Sequence, residues 1–148
     1  MKTIVLILFI LSSLISGALY AVPPSKKPDR ILSAPDSSSV SLTVYYFHTD
    51  TRCQTCHLME EYAQQAIKTG FTRELENKTI IWRIVNVDRD ENKHYINDFQ
   101  LYTKSIIVEK TRHGKKTWKN LDKIWDYVSD QAKYTRYIQD EIKSELGS

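Results

Sequence analysis

The amino-acid sequence predicts an α/β domain in which helices cover both faces of a central mixed sheet of four strands. Runs rich in β-branched and aromatic residues alternate with segments whose apolar residues recur at helical spacing. The predicted order is strand, helix, strand, helix, strand, strand, helix, and such alternation produces a sheet with helices packed on its faces. The predicted domain spans residues 40–148, a length typical of one domain.

Residues 1–21 have the pattern of an export signal. Lys2 is followed by an apolar stretch over residues 4–15, and small residues then allow cleavage after Ala18 or Ala21. We therefore expect export to the periplasm or the extracellular space, and a soluble protein after cleavage. A retained N-terminal membrane anchor is the alternative, although an apolar stretch of about a dozen residues is shorter than the roughly 20 that a membrane-spanning helix needs.

Residues 22–39 have the composition of a linker. They contain all 4 prolines of the chain and the serine run 37–39, a composition that favours an extended segment. The net charge of the whole chain is +3, with acidic and basic residues interspersed, and this pattern gives no indication of a nucleic-acid partner. We expect a monomer.

The first half of the domain is predicted to form a strand, a helix, a short turn and a second strand. Residues 42–48 are rich in β-branched and aromatic residues, as in a buried strand. Gly70 is expected to interrupt or end the helix that follows, and residues 79–87 form the second strand. The apolar residues of the helix and of the turn after it are Met59, Tyr62, Ala63, Ala66, Ile67, Phe71 and Leu75.

The second half of the domain is predicted to add a helix, two strands and two closing helical segments. The helix lies around residues 95–99, and the two strands over residues 105–108 and 116–118, with a turn at His113-Gly114. Asp130 is a candidate N-cap for the last helix. The apolar faces of the closing segments are Leu121, Ile124, Trp125 and Val128 in one, and Tyr134, Ile138 and Ile142 in the other.

The only two cysteines of the chain, Cys53 and Cys56, lie between the first strand and the helix that follows it. A helix N-terminus supplies partial positive charge and free N–H donors, which lower the pKa of a thiol there. Cys53 is therefore the candidate nucleophile, and Cys56, within one helical turn, is the candidate resolving thiol. A purely structural bridge over so short a loop would contribute only about 2 kcal/mol. We expect the redox-active disulfide to need no cofactor.

Two histidines are candidates to support this chemistry. His57 directly follows Cys56 and, when protonated, adds positive charge that helps to hold a thiolate. The alternative for His57 is a solvated residue of the first helical turn. His48 ends the first strand and is either a proton relay or a hydrogen-bonded structural group, and we favour the structural role.

The segment from Cys53 to His57 also matches the pattern for covalent haem attachment. A c-type haem usually needs a second axial ligand, and Met59 is too near in sequence to reach the opposite face of the haem. His48, His94 and His113 are the remaining candidates. The flanking strands belong to a different fold, so a c-type haem protein is the weaker alternative.

The sequence resembles the thioredoxin-like superfamily over nearly all of residues 40–146, and three local motifs carry this resemblance. They are Tyr45-Tyr46-Phe47 before the dithiol, Val85-Asn86-Val87-Asp88 at the end of the second strand, and the hairpin through Gly114. The resemblance implies a thioredoxin-like fold and thiol–disulfide exchange with a partner protein.

A narrower resemblance is to a small exported thioredoxin-like family known as nitrophenyl-compound nitroreductase subunits. It is carried by residues 45–48, 86–88, 101–105 and 118–123. This resemblance implies an upstream electron donor as a second partner. The residues themselves contain no visible flavin motif and show no nitroreductase chemistry.

The sequence departs from the better-known thioredoxins around the dithiol. Residues 103–105 stand where thioredoxins have a cis-proline, and the domain contains no proline that could form such a bond. The buried carboxylate that serves thioredoxins as a proton shuttle would fall at Phe47, and its lysine neighbour at Ile84. Arg52 stands where an aromatic residue usually precedes the first cysteine.

By the same resemblance, Lys104 and Ser105 lie opposite the dithiol. They are candidates to orient a substrate backbone or to raise the fraction of Cys53 present as thiolate. The alternative, which we weigh equally, is that they are two loop residues without a functional role. The missing proline also leaves room for a metal, because two thiolates and one of the histidines near them make a soft Cu(I) or Zn(II) site. A metal carrier using Cys53, Cys56 and His57 is therefore the alternative function.

Overall fold

A computed structural model describes residues 40–148. The predicted export signal, residues 1–21, and the predicted linker, residues 22–39, lie outside the described residues. In the part of the chain that is described, no helix is both long and apolar enough to cross a membrane.

The elements follow the predicted order, with additional short helices. The strands and helices are β1 Ser41–His48, α1 Gln54–Gly70, α2 Thr72–Glu76, β2 Ile80–Asn86, a 3₁₀ turn Asp90–Asn92, α3 His94–Asp98, β3 Ser105–Arg112, β4 Lys115–Asn120, α4 Ile124–Tyr127 and α5 Gln131–Gly147.

The four strands form one mixed sheet in the order β2-β1-β3-β4. β1 and β2 are parallel, because α1 and α2 carry the chain back between them, whereas β3 is antiparallel to both β1 and β4. This is the strand order and direction of a thioredoxin-like fold. The predicted fold class is confirmed.

The sheet separates two hydrophobic cores. The larger core packs Leu42, Val44 and Tyr46 of β1 against α1 and α5. The smaller core packs Tyr45 and Phe47, the alternate residues of β1, against the region of α3 on the opposite face. Burial on both faces explains why β1 is a nearly continuous apolar run, and β1 is an inner strand of the sheet.

The outer strands are far more exposed than β1. β2 is an edge strand in which Ile81 and Ile84 are exposed, and all residues of β4 are exposed. Between β3 and β4, His113 and Gly114 have φ angles of 50° and 73°. Two successive positive φ angles in a two-residue loop are those of a type I′ turn, whose twist matches the flanking strands. The predicted hairpin is confirmed.

The ends of the two long helices are set by the predicted residues. α1 ends at Gly70, where a Cβ atom would lie 2.7 Å from Nε2 of Gln139 on α5. Asp130 caps α5, because its side chain accepts a hydrogen bond from the N–H of Lys133 at 3.1 Å. Both predictions are confirmed.

The helical segment predicted around Leu121, Ile124, Trp125 and Val128 lies at the predicted position, but the prediction that all four side chains form its buried face is wrong. Only residues 124–127 are helical, and Trp125 is 39% exposed. Its indole Nε1 donates a hydrogen bond to the carbonyl of Lys104 at 3.1 Å. Trp125 therefore ties α4 to the loop before β3 instead of filling the core.

Candidate redox site

The dithiol lies where the chain leaves the central strand and begins α1. Cys53 is the N-cap of α1, with φ −91° and ψ 169°, and its Sγ accepts a hydrogen bond from the N–H of Cys56 at 3.4 Å. Both cysteines are free, and their Sγ atoms are 2.7 Å apart. Because a disulfide bond is about 2.05 Å long, the pair can close with only a small movement of the side chains.

The two thiols differ in accessibility. Cys53 is exposed, whereas Cys56 is 2% exposed. A protein partner can therefore reach Cys53 directly, while Cys56 is reached through the sulfur of Cys53. This is the arrangement that a nucleophilic and a resolving cysteine require.

The pKa of Cys53 is lowered from its ordinary value. The largest cause is the hydrogen bond from the Cys56 side chain, followed by that from the Cys56 backbone N–H, and the N–H of Thr55 contributes less. Each of these donors favours the anionic sulfur over the neutral thiol. The N–H groups at the start of α1 thus add to the effect of the Cys56 side chain. The role of Cys53 as the nucleophile stays a prediction.

Tyr46 lies beneath the buried cysteine. Its hydroxyl donates a hydrogen bond to the carbonyl of Cys56 at 2.7 Å, and burial raises its pKa, with the neighbouring Cys56 as the next cause. One turn further along α1, the buried Tyr134 of α5 donates to the carbonyl of Met59 at 2.9 Å. Tyr46 therefore ties the first turn of α1 to the sheet, and Tyr134 ties the next turn to α5.

The assignment of the thioredoxin carboxylate position to Phe47 is wrong. Phe47 lies on the opposite face of the sheet, in the smaller core, where its ring stacks on Tyr45. The residue beneath Cys56 is Tyr46, one position earlier in β1. Successive residues of a strand face opposite sides of the sheet. An error of one position therefore assigns the place beneath the dithiol to a residue that lies in the smaller core on the other face.

Arg52 and Glu60 form an ion pair beside the dithiol. Arg52 ends the loop after β1, Glu60 lies in the second turn of α1, and Nη2 of Arg52 contacts Oε2 of Glu60. The two side chains are 21% and 23% exposed, which makes this pair one of the less exposed ion pairs of the domain. Sequence analysis noted Arg52 only as a departure from thioredoxins, and it did not identify Glu60.

His48 lies at the end of β1, half-buried, with its ring stacked on that of Tyr46 at 6.2 Å between centroids. Its Nδ1 is 2.9 Å from the carbonyl of Thr49, which can only accept, so Nδ1 carries the proton. His48 also lines a cleft of about 270 Å³ together with Asp88, Tyr102 and Lys104. The hydrogen-bonded position suits the structural role that the sequence favoured.

The other supporting residues differ in placement. His57 is exposed in the first turn of α1, and its backbone N–H donates to the carbonyl of Cys53 at 3.2 Å. Lys104 is half-buried in the loop before β3, and Ser105 is buried, with its Oγ donating to the carbonyl of Thr103 at 2.9 Å. Ser105 is paired with Phe47 across β1 and β3. The roles of His57, Lys104 and Ser105 stay predictions.

Among residues 40–148, no three His, Cys, Asp or Glu side chains are grouped closely enough to share a metal ion. Neither His57 nor His48 therefore joins the two thiols in such a group. The metal-carrier and haem alternatives stay predictions.

The comparisons with known proteins found only distant similarities. No protein-family model matches the sequence. No curated protein matches it either. A solved thioredoxin from Trypanosoma brucei brucei is 20% identical, covers 72% of this chain and 80% of its own, and has a TM-score of 0.40. A solved malarial protein is also 20% identical, covers 54% of this chain and 80% of its own, and has a TM-score of 0.37. The strand order and directions are what establish the thioredoxin-like fold of residues 40–148.

Proposed function

We propose that this protein is an exported thiol–disulfide oxidoreductase that passes electrons to a partner protein through Cys53 and Cys56. The single observation that carries the proposal is the exposed Cys53 at the N-cap of α1, 2.7 Å from the sulfur of the buried Cys56. A dithiol placed for stability alone would not need one exposed sulfur with a lowered pKa.

The proposed reaction has two exchange steps. The Cys53 thiolate attacks one sulfur of a partner disulfide, the partner's S–S bond breaks, and the released partner thiolate takes up a proton. Cys56 then loses its proton and attacks Sγ of Cys53, which releases the second partner thiol and forms the Cys53–Cys56 disulfide. The partner gains two electrons and two protons. This protein supplies both electrons and the proton of Cys56, and the other proton comes from the solvent, to which Cys53 lost its own proton when it ionised.

A second partner must restore the dithiol. We propose a protein dithiol outside the cytoplasm as the upstream donor, which is reduced by a membrane electron carrier and returns two electrons to the Cys53–Cys56 disulfide. The resemblance of residues 45–48, 86–88, 101–105 and 118–123 to nitrophenyl-compound nitroreductase subunits implies an electron carrier within a larger system, and this role stays a prediction. The export signal predicted at residues 1–21 supports the location, and N-terminal sequencing of the exported protein tests it by showing cleavage after residue 18 or 21.

The proposal is tested by exchange between the reduced protein and oxidised glutathione, followed by mass spectrometry. We expect wild-type protein to gain an internal disulfide. We expect Cys53→Ser to lose exchange by on the order of 100-fold or more, because the exposed nucleophile is gone. Cys56→Ser should stop at a stable mixed disulfide with glutathione, and in cells it should capture the natural partner.

Thr55→Ala is a matched control, because it changes the dipeptide between the cysteines and keeps both thiols. It should retain exchange within a few fold of wild type. Unreactive wild-type thiols, or equal reactivity of the two single serine variants, would refute the assignment of roles. Native mass spectrometry of the same samples shows directly whether copper or zinc occupies the thiols.

A further inference from the structure

The hairpin of β3 and β4 carries a pocket of about 510 Å³ on the face of the sheet that α5 covers. Val108 lies in the larger core, and alternate residues of a strand share a face, so Lys110 and Arg112 lie on this face too. Their partners across the ladder, Thr117 and Lys115, share it. The residues that line the pocket are Lys110, Arg112, His113, Lys115, Thr117 and, from α5, Glu145.

The pocket contains more positive than negative charge. Its lining includes the side chains of Lys110, Arg112 and Lys115 but only one carboxylate, that of Glu145. Glu145 lies 3.9 Å from Nζ of Lys110. Arg112 and Lys115 form no ion pair with any Asp or Glu of residues 40–148, whereas the other two lysines of β4 are each paired with a glutamate. Uncompensated positive charge is therefore concentrated in this pocket.

Two cations of the pocket converge on one oxygen atom. Nζ of Lys110 donates a hydrogen bond to the carbonyl oxygen of Ser148 at 2.7 Å, and Nη1 of Arg112 donates to the same oxygen at 2.9 Å. Nζ of Lys110 also donates to Oγ of Ser148 at 2.6 Å. The Lys110 side chain is only 11% exposed, so it is held in position before any ligand arrives. Convergent cationic donors of this kind suit the oxygens of an anion.

An anion would be a better acceptor for these donors than the carbonyl of Ser148. Hydrogen bonds between ionised groups are about twice as strong as those between neutral groups. Ser148 follows the last residue of α5 and is exposed, so it can leave the pocket without unwinding the helix. Phosphate fits three cations better than a carboxylate does, because it presents at least three acceptor oxygens and carries up to two negative charges.

We propose that this pocket binds a phosphate group, with Lys110, Arg112 and Lys115 contacting its oxygens and Ser148 displaced. The phosphate belongs either to a free phosphorylated compound or to a lipid headgroup, and the experiment below separates the two sources. Glu145 opposes binding, because its carboxylate repels the phosphate.

The proposed phosphate site is separate from the dithiol. Ser105, the first residue of β3, pairs with Phe47, close to the loop that leads to Cys53. Arg112 is at the other end of this eight-residue strand, about 23 Å away. The inference therefore goes beyond the proposed function, and phosphate binding requires no reactive thiol.

Lys115 distinguishes phosphate binding from a purely structural role. Basic side chains often hydrogen-bond the last carbonyls of a helix, and Lys110 and Arg112 do so with Ser148 at the end of α5. Lys115 lines the same pocket but donates no hydrogen bond to Ser148. Its replacement should therefore weaken phosphate binding while α5 keeps its contacts.

The experiment titrates the full chain with inorganic phosphate and follows the backbone amide signals of the hairpin by NMR. Sodium chloride holds the ionic strength constant. We expect saturable shifts, and an affinity about fivefold or more weaker in Arg112→Gln and in Lys115→Gln. Glu145→Gln should strengthen binding, because it removes the only carboxylate of the pocket. Lys123→Gln is the matched control, since it removes an exposed charge beside α4, outside the pocket, and should leave the affinity unchanged.

Vesicles identify the source of the phosphate. The full chain is sedimented with vesicles of phosphatidylcholine alone, which control for binding through the apolar residues 4–15, and with vesicles of equal parts phosphatidylcholine and phosphatidylglycerol. Additional binding to the anionic vesicles that Lys115→Gln reduces would support the site with a lipid headgroup as its ligand. Saturable binding of inorganic phosphate without this additional binding would support it with a free phosphorylated compound.

Three outcomes overturn the inference. The first is that phosphate gives no saturable shift and the two kinds of vesicle bind equally. The second is that sodium chloride alone produces the same shifts, and the third is that Lys115→Gln binds as well as wild type. If Arg112→Gln does not fold, Lys115→Gln and Glu145→Gln still test the pocket, because neither side chain holds Ser148. Loss of glutathione exchange in any of these variants is not expected, so the two proposals fail independently.

Discussion

The hydroxyl of Tyr46 donates a 2.7 Å hydrogen bond to the carbonyl of Cys56, so the central strand directly supports the helical turn that carries the dithiol. Tyr46 is fully buried, and it occupies the position beneath the inner cysteine. A neutral phenol that donates to the backbone holds the turn in place without adding a charge under the thiol.

Tyr46→Phe should lower the free energy of unfolding by about 1 kcal/mol, the usual net contribution of a buried hydrogen bond. The loss is limited because the carbonyl of Cys56 lies inside α1, where its helical partner is the N–H four residues later. We also expect slower alkylation of Cys53 at neutral pH, because the turn that stabilises its thiolate is less firmly held. Urea unfolding and iodoacetamide kinetics provide the two measurements.

Tyr134→Phe is the matched control for this variant. It removes a buried hydrogen bond of the same kind, 2.9 Å long, from the carbonyl of Met59. The loss of stability should be similar, while the alkylation rate of Cys53 should not change. Equal effects of both variants on the alkylation rate would show that Tyr46 has no particular relation to the dithiol.

The lowered pKa of Cys53 predicts a dependence of stability on pH in the reduced protein. Because the folded-state pKa lies below the unfolded value, folding favours the thiolate, and this contribution is fully present only above the unfolded pKa of about 8.5. The contribution is lost as pH falls through the folded pKa. Cys53→Ser should therefore remove part of the rise in stability with pH just below 8.5, as measured by urea unfolding with reductant present. An unchanged pH profile in Cys53→Ser would contradict the lowered pKa.

The substitution of Cys56 separates the two causes of that lowered pKa. The side chain of Cys56 is the larger cause and its backbone N–H the smaller one. Cys56→Ser keeps a side-chain donor, whereas Cys56→Ala keeps only the N–H. The alkylation midpoint of Cys53 should therefore lie at higher pH in Cys56→Ala than in Cys56→Ser. Identical midpoints would assign the effect to the backbone alone.

The sheet and the place of the dithiol could be predicted from the sequence because their signals are local. β1 is a continuous apolar run since both of its faces are buried, and Cys53 directly precedes a helix with clear periodicity. Trp125 was wrongly assigned to the buried face because hydrophobic periodicity does not show that an apolar side chain is exposed and hydrogen-bonds a loop carbonyl, as the indole of Trp125 does with Lys104.

The remaining features of the site depend on three-dimensional relationships. The resemblance to thioredoxins placed the position of their buried carboxylate at Phe47, and only the alternation of side chains along β1 shows that Tyr46 faces α1. Arg52 lies in a loop and Glu60 in α1, eight positions later, and the rules for side-chain pairs on a helix apply only when both residues are helical.

The hairpin turn gives a prediction that depends only on backbone conformation. Gly114 has a φ of 73°, and a Cβ atom there would meet no atom within 4 Å. Gly114→Ala should therefore lose about 1 kcal/mol from left-handed strain alone. Gly147→Ala is the control, because a Cβ there also meets nothing within 4 Å and its φ is not positive, so no loss is expected. Thermal unfolding of both variants compares them, and an equal loss would exclude backbone strain as the cause.

The effect of Gly70→Ala on the free energy of unfolding should depend on the residue at position 139, and its sign should change when Gln139 is replaced. A Cβ on residue 70 would lie 2.7 Å from Nε2 of Gln139, which donates a 2.9 Å hydrogen bond to the carbonyl of Ala66 and so joins α5 to α1. Displacing this amide should lose about 1 kcal/mol or more. The opposing gain from replacing glycine with alanine is below about 1 kcal/mol at the last residue of a helix.

We therefore expect Gly70→Ala to be destabilising in the wild-type background. In a Gln139→Ala background the obstacle is gone, and the same substitution should be stabilising by a few tenths of a kcal/mol. A double-mutant cycle from urea unfolding measures this coupling. Additive effects of Gly70→Ala and Gln139→Ala would mean that Gly70 ends α1 for conformational reasons alone. Its lack of a side chain would then play no part in the packing of α5 against α1.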